Sequence, residues 1–152
     1  MQILRRTAYL LLMSLMAVPI SPASAFDEIN TGFFDSLALD GYDAVSYFRQ
    51  STAVKGNKSY AFEWKGATWL FSSSANRQRF GADPEFFAPQ YGGYCSNQMS
   101  LGYLSDIDAE VWRIIDQRLY LFGHDEGRVR WASETHQRIT DADLHWRTYL
   151  ER

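Results

Sequence analysis

Residues 59–72 read SYAFEWKGATWLFS, and this stretch has the clearest structural pattern in the sequence. From residue 60 to residue 64 every second side chain is aromatic, which is the period-two pattern of a half-buried strand. Lys65-Gly66 is a turn signal, and after Ala67 the mainly apolar residues 68–71, TWLF, follow it. The stretch therefore predicts a β-hairpin.

The same kind of pattern occurs again further along the chain. Residues 110–122 contain two apolar runs, VWRII and LYLF, separated by the polar residues 116–118. This arrangement predicts a second β-hairpin with its turn at residues 116–118. We find no long repeat and no low-complexity tract along the sequence.

Short helices are predicted before, between and after the two hairpins. Three of them have a side chain at their start that can accept hydrogen bonds from free backbone N–H groups. Two hairpins interleaved with short helices make a small single domain of the α+β class. The predicted helices are 44–48 capped by Asp43 (a short strand being the alternative), 75–80 capped by Ser73 or Ser74, a single turn at 85–87, 125–137, and 141–150 capped by Thr140.

The first 25 residues have the layout of a secretory signal peptide. Arg5 and Arg6 precede an apolar run over 8–18, and Ala23-Ser24-Ala25 offers a small-residue cleavage site. The run is shorter than the roughly 20 residues of a transmembrane helix, so we expect no stable membrane anchor after cleavage. The protein is expected in the periplasm or outside the cell, with an extended lead-in over 26–39 and a domain over 40–150.

The net charge of the chain argues against one class of binding partner. The chain has 15 basic and 18 acidic residues, and removal of Arg5 and Arg6 leaves 13 against 18, a net charge of −5. Nucleic-acid binding needs a basic surface, so we expect no nucleic-acid partner.

The only cysteine lies in the stretch 89–102, PQYGGYCSNQMSLG. If 96–101 is helical, Cys95 and Met99 share one face of the helix near its start. Thiolate and thioether sulfur select soft metals such as copper(I), and a thiol at a helix start can also be a reactive nucleophile. Alternatively, Cys95 is a small buried hydrophobe with Met99 packed beside it.

Other side chains could complete a site. Histidine is the commonest metal ligand, but none of the three histidines lies in a zinc-binding motif. His124 is our candidate third ligand, whereas His136 and His145 are expected on two helices separated by a break. The five tryptophans form either a ligand platform or part of the core.

Several motifs together resemble the YHS domain family, and in particular its exported branch. The hairpin stretch FEWKGATWLFSS (62–73) is similar to the YHS domain. GYDAVSYF (41–48), PQYGGYC (89–95) and ADLHW (142–146) resemble motifs of the exported branch, in the same order. The positions that we take as the structural motif are Tyr42, Asp43, Gly92, Gly93 and Tyr94.

The resemblance implies a small α+β module of a metal-binding type. Wider relatives occur beside copper-transporting pumps and in multicomponent oxygenases, and are thought to bind metal through cysteines. This chain lacks those cysteines, since FSSSA stands at 71–75 where the relatives have a cysteine pair. Some exported members carry selenocysteine at the position of Cys95, which supports a chemical role for this residue.

These observations favour an exported binding module over an enzyme. The first hypothesis is a copper(I) site formed by Cys95, Met99 and His124, to which a protein partner or a dimer would add ligands. The second is a thiol redox protein in which Cys95 cycles through sulfenic acid. The third is a structural or interaction domain whose cysteine is buried and inert.

Overall fold

The computed structural model describes residues 26–32 and 35–152. Its four strands form two separate two-stranded antiparallel sheets, and short helices precede, separate and follow them. The elements are α1 (Ala44–Arg49), β1 (Asn57–Trp64), β2 (Ala67–Phe71), α2 (Ser74–Ala82), α3 (Pro84–Phe87), α4 (Ser96–Met99), β3 (Asp108–Ile115), β4 (Arg118–Phe122), α5 (Asp125–Ser133) and α6 (Thr135–Leu150), with single-turn 3-10 helices at Leu39–Gly41 and Gln90–Gly93.

Both predicted hairpins are present, which confirms the α+β class. β1 pairs with β2, and β3 pairs with β4. Lys65-Gly66 and Asp116-Gln117 are the two-residue turns, and all four residues have positive φ, as tight hairpins require. The second turn is one residue shorter than predicted because Arg118 already pairs with Ile115.

Two of the predicted helix caps are confirmed. The carboxylate of Asp43 accepts hydrogen bonds from the N–H groups of Val45 and Ser46, so the segment after it is a helix and not the alternative strand. The hydroxyl of Ser73 accepts the N–H of Asn76 and starts α2.

The predicted position of the break between the last two helices is wrong. The break lies at Glu134, and a single helix then runs from Thr135 to Leu150. Thr140 is inside this helix, where its hydroxyl donates to the carbonyl of His136 instead of capping a new start. His136 and His145 therefore belong to one helix, about two and a half turns apart on opposite faces.

The described chain contains one succession of elements twice. A 3-10 turn, a short helix, a hairpin and two further helices make up residues 39–87, the first unit, and recur over residues 90–150, the second unit. In both hairpins a strand of 8 residues pairs with one of 5, and a helix of 9 residues follows. β3 starts at Asp108, 51 positions after β1 starts at Asn57. The repeat is one of backbone structure, and the sequence did not predict it.

Backbone details of the two units agree as well. The positive φ angles of Leu39, Asp40 and Gly41 recur at Tyr91–Gly93. In both units a residue with non-helical ψ separates the last two helices, Asp83 in the first and Glu134 in the second. The units differ most at their ends, because α3 has 4 residues and α6 has 16.

The buried apolar residues form two clusters. The first contains Trp69 and Phe80 together with Leu119 and Leu121 of β4, and the second, within the second unit, contains Tyr120 and Trp131. Trp69 and Trp131 are fully buried and Trp112 packs beside the first cluster, so these three tryptophans belong to the core. Trp64 and Trp146 are only half-buried and remain available to a ligand.

Residues 26–32, which we call the strap, lie against the second unit. The Phe26 ring packs 5.7 Å from that of Trp146, and the N–H of Asn30 donates to the carbonyl of Gly92. No helix within 26–32 and 35–152 is long and apolar enough to cross a membrane. The predicted signal peptide, residues 1–25, lies outside the described residues.

Candidate functional site

Cys95 is buried at the start of α4. Its side chain is 3 % exposed, and that of Met99, one turn later, is fully buried. The sulfur accepts a hydrogen bond from the N–H of Gly123 at 3.3 Å. Both sulfur atoms belong to the apolar cluster of the second unit, so solvent reaches neither of them freely.

Cys95 is the structural counterpart of Asp43 in the first unit. Each residue precedes the short helix of its unit. The N–H of Ser72, just after β2, donates to the Asp43 carboxylate at 2.8 Å, as the N–H of Gly123, just after β4, donates to the Cys95 sulfur. Position 95 thus holds a thiol where the first unit holds a carboxylate that accepts backbone hydrogen bonds.

Asp43 anchors the first unit. Besides the two N–H groups at the start of α1, the main chain and hydroxyl of Ser72 and the amide of Asn76 donate to its carboxylate. Asp43 is fully buried, and these five donors offset the cost of burying the carboxylate. Tyr42, beside it, donates its hydroxyl to Glu110 at 3.1 Å and ties the segment before α1 to β3.

The three histidines lie on different elements. His124 caps α5, with its Nδ1 accepting the N–H of Gly127 at 3.0 Å, so only its Nε2 is free for a metal. His145 Nδ1 lies 3.1 Å from the carbonyl oxygen of Met99, to which it can donate, and His136 is exposed. Among the residues that the structure describes, no three His, Cys, Asp or Glu side chains form a metal-binding group.

The glycine pair of the PQYGGYC motif receives the strap. A Cβ at Gly92 would lie 1.8 Å from the carbonyl oxygen of Glu28, so only glycine allows this approach. The Asn30 amide side chain donates to the carbonyl of Gly93, and the Tyr94 hydroxyl donates to the carbonyl of Asp27. The motif positions predicted as structural thus hold the N-terminal segment on the second unit.

A cleft of about 370 Å³ opens beside this contact. Its volume is within the range of small-molecule sites, roughly 300–1,000 Å³. The strap, the tip of the first hairpin, the 3-10 turn of the second unit and the last turns of α6 surround it. Its principal lining side chains are Trp64, Lys65, Tyr91, Asp143, Trp146 and Arg147.

A tyrosine–carboxylate pair joins two motifs inside the cleft. The hydroxyl of Tyr91 donates to Asp143 Oδ1 at 2.9 Å. Burial and the nearby charge of Asp143 raise the pKa of Tyr91 well above its ordinary value, so the hydroxyl keeps its proton. Tyr91 has φ +57°, an uncommon angle for a residue with a side chain, which the surrounding contacts must maintain.

Charge pairs also line the cleft. Lys65 Nζ lies 2.6 Å from Glu28 on the strap and 3.3 Å from Glu85 on α3. Burial lowers the pKa of Lys65, but hydrogen bonds to these carboxylates outweigh it and raise the pKa above its ordinary value. The Lys65 ammonium also lies 4.8 Å from the ring centre of Trp64.

Sequence reasoning singled out part of this cleft. Tyr91, Gly92, Asp143 and Trp146 lie in motifs that the family resemblance identified, but they were not predicted to form one site. Lys65 was predicted as a turn residue within the YHS-like stretch 62–73, and no pattern in the sequence indicates its pairing with Glu28. Comparisons with models of protein families, with curated proteins and with solved structures found no match for this chain.

Proposed function

We propose that this protein is an exported, YHS-like binding module, and that its ligand site is the cleft. One observation carries the proposal: PQYGGYC and ADLHW, far apart in the chain, meet there through the hydrogen bond between Tyr91 and Asp143. Residues that the resemblance alone singled out thus line a cavity of ligand size. Export to the periplasm or outside the cell rests on the pattern of residues 1–25.

The chemistry of the cleft favours binding over catalysis. A general acid or base works best with a pKa near the operating pH. The pKa of Tyr91 is raised away from neutrality, and the proton of its hydroxyl is committed to Asp143. The pair positions a carboxylate, which suits recognition of a ligand.

Ligand screening by NMR tests the proposal on the chain 26–152. We expect ligands to shift the indole N–H signal of Trp146 while leaving that of buried Trp131 in place. The variant Trp146→Phe should weaken such binding, and Val129→Ala, a change at an exposed side chain of α5 away from the cleft, should not. If hits shift only residues outside the cleft, the site is elsewhere and the proposal fails.

A copper(I) site at Cys95 is the second candidate, favoured by the position of Cys95 and Met99 on one turn of α4 within one cluster. Thiolate and thioether suit copper(I), and His124 could add its Nε2. Two or three such ligands make an incomplete site, so a protein partner or a second copy would supply the remainder.

Matched variants test the copper(I) candidate. Met99→Leu should lower copper(I) affinity while preserving the core, and His124→Asn should remove the imidazole while preserving a side chain that caps α5. His136→Asn, at an exposed position of α6, is the control. Equal copper(I) affinities for all of these proteins and for the parent chain would rule out this site.

The remaining alternatives are thiol redox chemistry and an inert core cysteine. They predict different accessibility of the Cys95 thiol to reagents in solution. Cys95 is 3 % exposed, so we expect a thiol reagent to react with it at the rate of local opening and much faster in denaturant. A native-state rate close to that of a free thiol would instead favour redox chemistry at this position.

A further inference from the structure

The charges in the cleft do not balance. Its lining residues include three carboxylates, of Glu28, Glu85 and Asp143, and two cations, of Lys65 and Arg147. Lys65 already pairs with both Glu28 and Glu85, so its charge is offset. The cleft therefore presents a net negative charge to a ligand, which favours a cation.

Asp143 is the carboxylate best placed to receive that cation. It is half-buried, and the Tyr91 hydroxyl holds one of its oxygens at 2.9 Å. A carboxylate has about four acceptor positions, so most of its capacity remains after this bond. Arg147 is exposed, and its long side chain can keep its guanidinium in water.

Aromatic and apolar side chains complete the surroundings of Asp143. Trp146 is half-buried on the same face of α6, and its ring centre lies 6.3 Å from that of Tyr91. The indole lies over Gly92, where a Cβ would come within 3.2 Å of it. The face of an indole attracts cations. Ala88 and Pro89 add apolar lining to the cleft.

We propose that the cleft binds a primary ammonium group carried by a small apolar body, with Asp143 as the counter-ion and Trp146 as the aromatic wall. This inference rests on the proposed function, since it names the ligand class of the same site. The volume corresponds to about twelve water molecules, which is enough for an arylalkylamine or an amine-bearing side chain.

Three probes of one shape test the ligand class on the chain 26–152: 2-phenylethylamine, 2-phenylethanol and 3-phenylpropionate. Titrations followed by the Trp146 indole N–H signal should saturate for the amine, with an affinity at least about tenfold higher than for the alcohol. Saturable binding of the carboxylate with equal or higher affinity would overturn the ammonium inference while leaving a binding cleft.

A matched pair of variants tests the role of Asp143. Asp143→Asn keeps an oxygen for the Tyr91 hydroxyl and removes the charge, and it should weaken amine binding about tenfold or more. Asp141→Asn, on the same helix but outside the cleft, should leave binding unchanged. Equal effects of the two variants would overturn the inference.

Failure of every probe to shift the Trp146 signal would count against both the inference and the cleft as the ligand site.

Discussion

Substitution of Gly92 by alanine should release the strap. The new Cβ would lie 1.8 Å from the carbonyl oxygen of Glu28, a backbone atom that no rotamer change can move. The main chain of Glu28 must shift, and the hydrogen bonds of Asn30 N–H to Gly92 and of Tyr94 O–H to Asp27 are lost with it. Each is worth about 1 kcal/mol, and alanine at φ +61° adds about 1 kcal/mol. We expect a total loss of about 3 kcal/mol.

Gly66→Ala is the matched control for this prediction. Gly66 has φ +75°, but no atom lies within 4 Å of the point that an alanine Cβ would occupy, so only the backbone strain of about 1 kcal/mol applies. Urea unfolding of the two variants and the parent measures the difference in free energy. Hydrogen exchange at the amide of Asn30 should accelerate in Gly92→Ala and not in Gly66→Ala. Equal losses of stability, with the Asn30 amide still protected, would refute the reasoning.

Two further predictions concern buried polar groups. Asp43→Asn turns an amide N–H₂ toward donors that need an acceptor, so it should lower the free energy of unfolding in urea by about 3 kcal/mol. Asp83→Asn, at an exposed helix cap where asparagine serves equally well, is the control and should cost little. Similar losses for the two variants would argue against the buried network. The second prediction concerns Tyr91 and Tyr47, whose pKa is raised by burial. Above pH 10 the unfolded chain therefore binds fewer protons than the folded one. The free energy of unfolding then falls as pH rises, by up to about 1.4 kcal/mol per pH unit for each tyrosine. Tyr91→Phe should reduce this slope between about pH 10 and pH 11, and an unchanged slope would contradict the assignment.

The hairpins and first helix caps could be predicted because their signals are local. Alternating aromatic residues before Lys65-Gly66 specify a strand and a turn without reference to the rest of the chain. Asp43 is equally local, since its carboxylate caps the residues that follow it. The predicted helix start at Thr140 was wrong because a threonine hydroxyl can also donate within a helix, to the carbonyl four residues earlier.

The internal repeat could not be predicted because the two units preserve backbone geometry and not side-chain chemistry. Cys95 replaces the carboxylate of Asp43, and Tyr91 and Gly92 have the positive φ angles that Leu39 and Asp40 have in the first unit. A pattern of residue types does not reveal such pairs. The place of each residue before the short helix of its unit, and the backbone hydrogen bonds that both side chains accept, show that the two positions are equivalent.

The cleft depends on contacts between distant segments. The motifs that contain Tyr91 and Asp143 were apparent from the family resemblance, but their meeting depends on how α6 packs against the 3-10 turn. The pairing of Lys65 with Glu28 depends on the strap, whose sequence carries no periodic signal. Such contacts follow from the tertiary fold and not from local sequence.

The strap has a consequence for the order in which the protein acquires its structure during synthesis. Asn30 and Asp27 leave the ribosome early, but the partners of their side chain and carbonyl lie 63 and 67 residues later. The aromatic partners of Phe26 come later still, near the C-terminus. Local contacts within the first unit are therefore available before those partners are synthesised, and docking of the N-terminal segment is expected to be the closing step of folding.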